Sequence, residues 1–348
     1  MNKKLIAVAV AGACVAPAAM AQTANPVTLY GRVYVAFESV EASGGATPVV
    51  RRNRVEDRNS LLGVRGTEDL GGGLKAFFQL ETQFKADQND TTFANRNSGV
   101  GLQGAWGSIL LGRWDSPMKV TQTAVDPWGD NELGDITGAA LRQGGFSQRW
   151  QNTVQYWTPN WAGFAARLMY VANEGRVKTA TSDINPRATG ASLTYTAGPV
   201  YLAYAYEKHQ ELVGATATDN VDEKGNAFAG SFSFGPVKLS GQYGEYDRTG
   251  TTKQKSYQVG IDWGFGNNHI LGSWSRSKYG AAPTAVQPEC KMASAGYRYD
   301  FSRRTSFMAN YTKVDNKVGN LCNFGQGALT IAADQDPKGV AVGVRHTF

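Results

Sequence analysis

The residues best suited to chemistry form two sets of opposite charge. Asp126, Asp130, Glu132 and Asp135 crowd into one short interval, whereas Arg32, Arg65, Lys75, Arg113 and Arg149 are spread along the first half of the chain. Carboxylates at that density can bind a cation, act as acid and base, or hold a strong local field. Cation binding of the EF-hand kind needs a ligand spacing that is missing here. Acid–base work needs a nucleophile and an oriented base, and no serine–histidine–aspartate grouping has supporting spacing. His209, His269 and His346 lack ligand spacing, and Gly71-Gly72-Gly73-Leu74-Lys75 lacks the ending of a phosphate loop. Neither an enzyme nor a cofactor is therefore expected. Field chemistry remains: acids facing bases across a passage sort ions and orient polar solutes. The acids lie within 116–148, an interval with Pro117 and Pro127 and no strand pattern. A loop that long is uncommon without a function, and we expect it to fold into a lumen and narrow it.

Positioning such groups requires a frame, and the frame is legible as alternation. In VTLYGRVYVAF, Val27, Leu29, Val33, Val35 and Phe37 share one parity, and Thr28, Tyr30, Arg32 and Tyr34 the other. Successive strand side chains point to opposite faces, so this is one apolar and one polar face. The run from Leu74 to Phe84 is the cleanest, with Lys75, Gln79, Glu81 and Gln83 opposite the apolar parity and Phe77 the lone exception. Sixteen such segments follow one another, from 27–37 and 58–67 to 303–313 and 340–348. Short connections alternate with long ones, and 38–57, 85–96, 116–148, 209–225 and 314–339 are among the long. An antiparallel meander with one short-turn rim and one long-loop rim is the pattern of an outer-membrane barrel. The fold class expected is all-β, a closed sixteen-stranded antiparallel barrel with both chain ends on the short-turn side, taken as periplasmic. Closure follows because unpaired backbone is not tolerated in lipid, so 340–348 should pair with 27–37. Trp106, Trp161 and Trp263 sit at expected short turns, as boundary aromatics do.

Composition sets further bounds. Residues 1–21 read as an export leader, with Lys3 and Lys4, an apolar run from Leu5 to Val15 and an Ala19-Met20-Ala21 cleavage signal, leaving 22–348 as one barrel domain. Losing Lys3 and Lys4 lowers the formal charge from +6 to +4, too mild to suggest nucleic acid as a partner. Cys290 and Cys322 survive in an exported chain that can oxidise them, tying two late loops; two separate thiols are the alternative. Parity sets most of the named bases opposite an apolar face. Arg113 is the difficult one, since it shares parity with Ile109 and Leu111.

At this point the chain resembles the general trimeric porins of Neisseria, Bordetella and related beta-proteobacteria. The matching pieces are VTLYGRV at 27–33, RGTEDLGGGLKAFFQLE at 65–81, LLGRWDSP at 110–117, Arg149 with NTVQYWTP at 152–159, and GVRHTF at 343–348. Their set and order cover essentially all of 22–348. The resemblance implies a homotrimer, a third extracellular loop folded inward, Arg113 facing the pore, and Phe348 as the signal read by the outer-membrane assembly machinery. It implies a wall in contact with membrane lipid and lipopolysaccharide, and passive diffusion of ions and small hydrophilic solutes. Excess wall arginine suggests weak anion preference. The alternative is a channel selective for sugars or organic acids, which needs an aromatic track; Phe77, Trp128 and Trp157 are candidates but form no repeated ladder in sequence.

Overall fold

The computed structural model describes residues 27–45, 47–89, 92–129, 132–135, 146–213, 216–251, 253–280, 289–317 and 319–348. The leader expected at 1–21 and the site candidate Asp130 lie outside them. One large antiparallel sheet makes up the wall, and a two-stranded sheet of Val177–Lys178 with Asp183–Ile184 stands apart from it. The strands of the wall are β1 (Val27–Ser43), β2 (Val49–Asp57 and Leu61–Gly71), β3 (Leu74–Gln83), β4 (Ser98–Gly104), β5 (Gly107–Asp115), β6 (Arg149–Trp157), β7 (Phe164–Val171) and β8 (Arg187–Ala197). They continue as β9 (Val200–Val213), β10 (Thr216–Phe234), β11 (Val237–Arg248), β12 (Gln254–Phe265), β13 (Asn268–Tyr279), β14 (Glu289–Asp300), β15 (Thr305–Lys317) and β16 (Asp336–Thr347). The two parts of β2 both pair with β1, one with its second half and one with its first, so the seventeen paired segments amount to sixteen strands. A single helix, α1 (Pro117–Thr123), follows β5 among the described residues.

The ring closes between the first and last strands, in register from Arg32 opposite Thr347 to Ser43 opposite Asp336. Gly31 and Phe348 complete the seam by exchanging two backbone hydrogen bonds of 3.0 Å each. Closure leaves no edge, which lets a sheet cross a bilayer. The two faces are chemically opposite in the sense alternation demands. Leu29 is 61% exposed and Val259 58%, whereas Gln155 is 1% exposed and Ser275 fully buried. Apolar side chains point out and polar ones point in, the reverse of a water-soluble sheet protein. No helix of the described residues is long and apolar enough to cross a membrane; the strands do the crossing. This is a closed sixteen-stranded antiparallel transmembrane β-barrel. Trp106, Trp161 and Trp263 are exposed at its short-turn rim.

Several strands run well past the expected limits. Residues 38–57 and 209–225 were expected as long loops, yet most of both is hydrogen-bonded sheet. The reason is visible in β1. Up to Phe37 the outward positions are apolar; beyond it they are Ser39 and Glu41, while Val40 and Ala42 turn inward and are buried. The outward face changes from lipid-compatible to water-compatible, but the backbone ladder continues. A pattern defined by an apolar outer face ends where the lipid does, not where the strand does. Inside this upper part, Val40, Leu133, Met292, Val314, Phe324 and Leu329 form an apolar cluster with Cys290. The Cys290–Cys322 disulfide joins the start of β14 to the connection before β16.

Candidate functional site

The interval after β5 is built from a local signal. Ser116 Oγ accepts the Lys119 backbone N–H at 3.1 Å, and Pro117 occupies the first helical position. A hydroxyl cap followed by proline is a strong helix start. Met118 then packs with Ala205, Ala227, Tyr246 and Phe146, and Gln122 donates to the Tyr246 hydroxyl at 2.9 Å. Alanine at 205 and 227 leaves room on β9 and β10 for the helix.

Beyond α1, polar contacts fix the segment to the opposite strands. Asp126 Oδ1 accepts the Trp128 backbone N–H and the Gln258 amide, both at 3.3 Å. Trp128 Nε1 donates to Ser273 Oγ at 2.7 Å, and its ring packs with Tyr34, Leu271 and Met308. Glu132 accepts from the Tyr34 hydroxyl and the Asn310 amide. Burial pushes its carboxyl above the ordinary range, against the pull of Arg58. Leu133 accepts from the Gly325 backbone N–H at 2.9 Å, and Asp135 is fully buried beside that same connection. Each wall partner here belongs to the polar parity of its strand. Asp126 and Glu132 thus accept from neutral side chains, Asp135 is buried beside them, and Glu132 also feels the Arg58 and Arg345 guanidinium groups.

The bases gather elsewhere. Arg32 donates twice to the Asn59 carbonyl, at 3.2 and 2.6 Å. Arg149 pairs with Asp115 at 3.0 Å and donates to Asn97 Oδ1 at 2.7 Å, while Lys119 reaches Asp115 at 3.6 Å. Arg96 pairs with Glu81 at 2.6 Å. Arg65 lies 5.0 Å over the Tyr30 ring. Arg113 donates to the Asn95 carbonyl at 3.0 Å. The register break between β5 and β6 places the extra residue on β6, around Asn152 at φ 51°, while β5 pairs with β4 without interruption through Arg113, so Arg113 keeps the parity of Ile109 and Leu111. Lys75 is solvent-exposed at the start of β3, by the short-turn rim and away from the other bases. Between α1 and this sector lies a cavity of about 380 Å³ whose charged lining is Arg32, Arg96, Lys119 and Asp115. Sequence reading missed Arg96 and Lys119. Arg96 fell in an expected long connection. Lys119 carried a usable signal, since it follows Asp115 by four residues across a capped helix start. Among the described residues no three His, Cys, Asp or Glu side chains converge as metal ligands.

A closed barrel with an apolar outside, a polar inside and an arginine-lined cavity defines a channel-type outer-membrane protein. The Gram-negative porin family model matches residues 7–319, and the chain belongs to that family. Outer membrane porin protein 32 of Delftia acidovorans is 33% identical over 364 aligned residues, covering all of both chains. An outer membrane porin protein of Bordetella pertussis is 29% identical, over 83% of this chain and 82% of its own. Among solved structures, the anion-selective porin from Comamonas acidovorans superposes with a TM-score of 0.81 at 28% identity, covering 93% of this chain and 100% of the other. The protein is a passive diffusion channel of the outer membrane and not an enzyme.

Proposed function

We propose that the channel favours small hydrophilic anions, and that the stretch 116–148 is its constriction loop. The observation carrying the first part is the lining of the 380 Å³ cavity, where Arg32, Arg96 and Lys119 outnumber Asp115. Inside a low-dielectric wall such an excess raises the local concentration of the opposite ion. Arg65 adds to it, since it lies over the Tyr30 ring and forms no ion pair among the described residues. The inward loop is supported by the contacts of Met118, Trp128 and Glu132 with polar-parity positions on strands around the ring. The solved relative described as anion-selective points the same way.

The same reading makes the long connections extracellular and the short turns and both chain ends periplasmic. It makes the assembly a homotrimer bathed in lipid and lipopolysaccharide, with Phe348 the assembly signal and 1–21 a cleaved leader. Reversal potentials of single channels in a potassium chloride gradient test the central part. Chloride preference is expected, and clear potassium preference refutes it.

A further inference from the structure

We propose that the inner wall carries a second site, on the short-turn side of the arginine-lined cavity, that takes a planar organic anion: a carboxylate borne on an aromatic ring. The inference rests on the anion-channel reading above and names a solute class for it. Its components come from four strands. Phe77 of β3 and Trp157 of β6 stack with centroids 6.3 Å apart and planes 29° from parallel. Trp114 of β5 tilts against the same indole at 5.4 Å. The Arg167 guanidinium of β7 sits 4.9 Å over the Trp157 ring.

All four are on the inner face. Trp157 and Arg167 are direct cross-strand partners, and Trp157 Nε1 donates to the buried inward Gln155 at 2.9 Å. Phe77 lies over Gly101, its register partner, where an added Cβ would come within 2.5 Å of the ring. Glycine there is what lets the ring lie flat on the wall. Phe77 is also the one apolar residue on an otherwise polar parity of β3, a break in pattern that a water-filled wall does not need. The Gln155 side chain also donates to the Asp115 carbonyl at 3.0 Å, tying the aromatic group to the cavity's lining.

The chemistry selects the ligand. Flat rings offer stacking area, and the cation beside them forms no direct ion pair among the described residues, Asp115 acting on it only at longer range. A guanidinium laid on an indole keeps its in-plane N–H groups free of the ring, in the geometry that holds a carboxylate bidentately. A neutral sugar would need acceptors and amides around the rings, and Gln155, the amide bonded to Trp157, is engaged at both its ends. A ring bearing an anionic group uses both features at once.

The test is solute block of single channels in potassium chloride, with benzoate against cyclohexanecarboxylate, which matches it in charge and size but is not planar. Benzoate is expected to block saturably, with cyclohexanecarboxylate about tenfold weaker. Trp157→Ala and Arg167→Gln should each weaken benzoate block about tenfold, normalised to each variant's own chloride conductance. Arg167→Lys, which keeps the charge but loses the planar fork, should recover only part of it. Equal block by the two acids, or benzoate block unmoved in both Trp157→Ala and Trp157→Phe, overturns the site while leaving chloride preference standing. A wild-type channel that prefers potassium would instead sink the reading on which the site rests.

Discussion

Two sectors of the inner wall carry out different tasks with different side chains. The sector of β1 to β7 carries Arg32, Arg65, Arg96 and Arg149, of which Arg32 and Arg96 border the cavity. The sector of β12 to β15 offers Gln258, Ser273, Ser294, Asn310 and Thr312 at mid-height, and these hold or flank the segment after α1. Charge is kept where a solute passes and water screens it. Neutral donors are used where a segment must be held without water, because a buried unpaired charge costs far more than an unmade neutral contact. Asp126 and Glu132, two of the acids expected in the passage, contact this second sector.

Breaking the neutral sector should give the largest effect. Tyr34→Phe with Asn310→Ala leaves the buried Glu132 carboxyl without its two donors and should weaken docking of its segment by about 3 kcal/mol. Frequent closures in single-channel traces and faster proteolysis near residue 130 are the readouts, and quiet traces would show that the sector holds nothing. Breaking the basic sector comes next. Arg32→Gln, Arg96→Gln and Lys119→Gln together should lower the chloride-to-potassium permeability ratio about tenfold, with unchanged reversal potentials the contrary result.

Acidity should sharpen the contrast more gently. Burial holds the Glu132 carboxyl above its ordinary range, so its contribution to docking is complete below the unfolded carboxyl pKa and is lost as pH rises through the elevated one. Closures should become more frequent over that upper window, and Glu132→Gln should flatten the trend. A wild-type trace insensitive to pH, or a trend that Glu132→Gln leaves intact, counts against this account. The smallest effect is expected for Lys75→Gln, below about 1.5-fold in permeability ratio. Lys75 sits at the wet rim, where a charge is screened over roughly 8–10 Å. A shift as large as that of the triple variant would return it to the narrow part of the pore.

Much of the frame was legible before any coordinates. Alternation in 27–37 and 74–84 reports a wall between lipid and water, and the order of short and long connections reports the meander. The strand ends were misjudged at 38–57 and 209–225 because the outward face turns polar there while the ladder continues. Arg113 keeps the parity of Ile109 and Leu111, because the register break beside it adds its extra residue to β6 and not to β5. Arg96 was missed because it lies outside any alternating run.

The chain's own order of residues thus determined the number of strands, the closure of the first on the last, and which face of each strand meets lipid. These follow from local geometry, since the two-residue repeat is a property of every extended segment. Which acids are neutralised, which arginines border the cavity and which rings meet were decided only by tertiary structure. Glu132 finds Tyr34 across 98 positions and Asn310 across 178. Contacts of that range depend on strand register and barrel curvature, which no local pattern encodes.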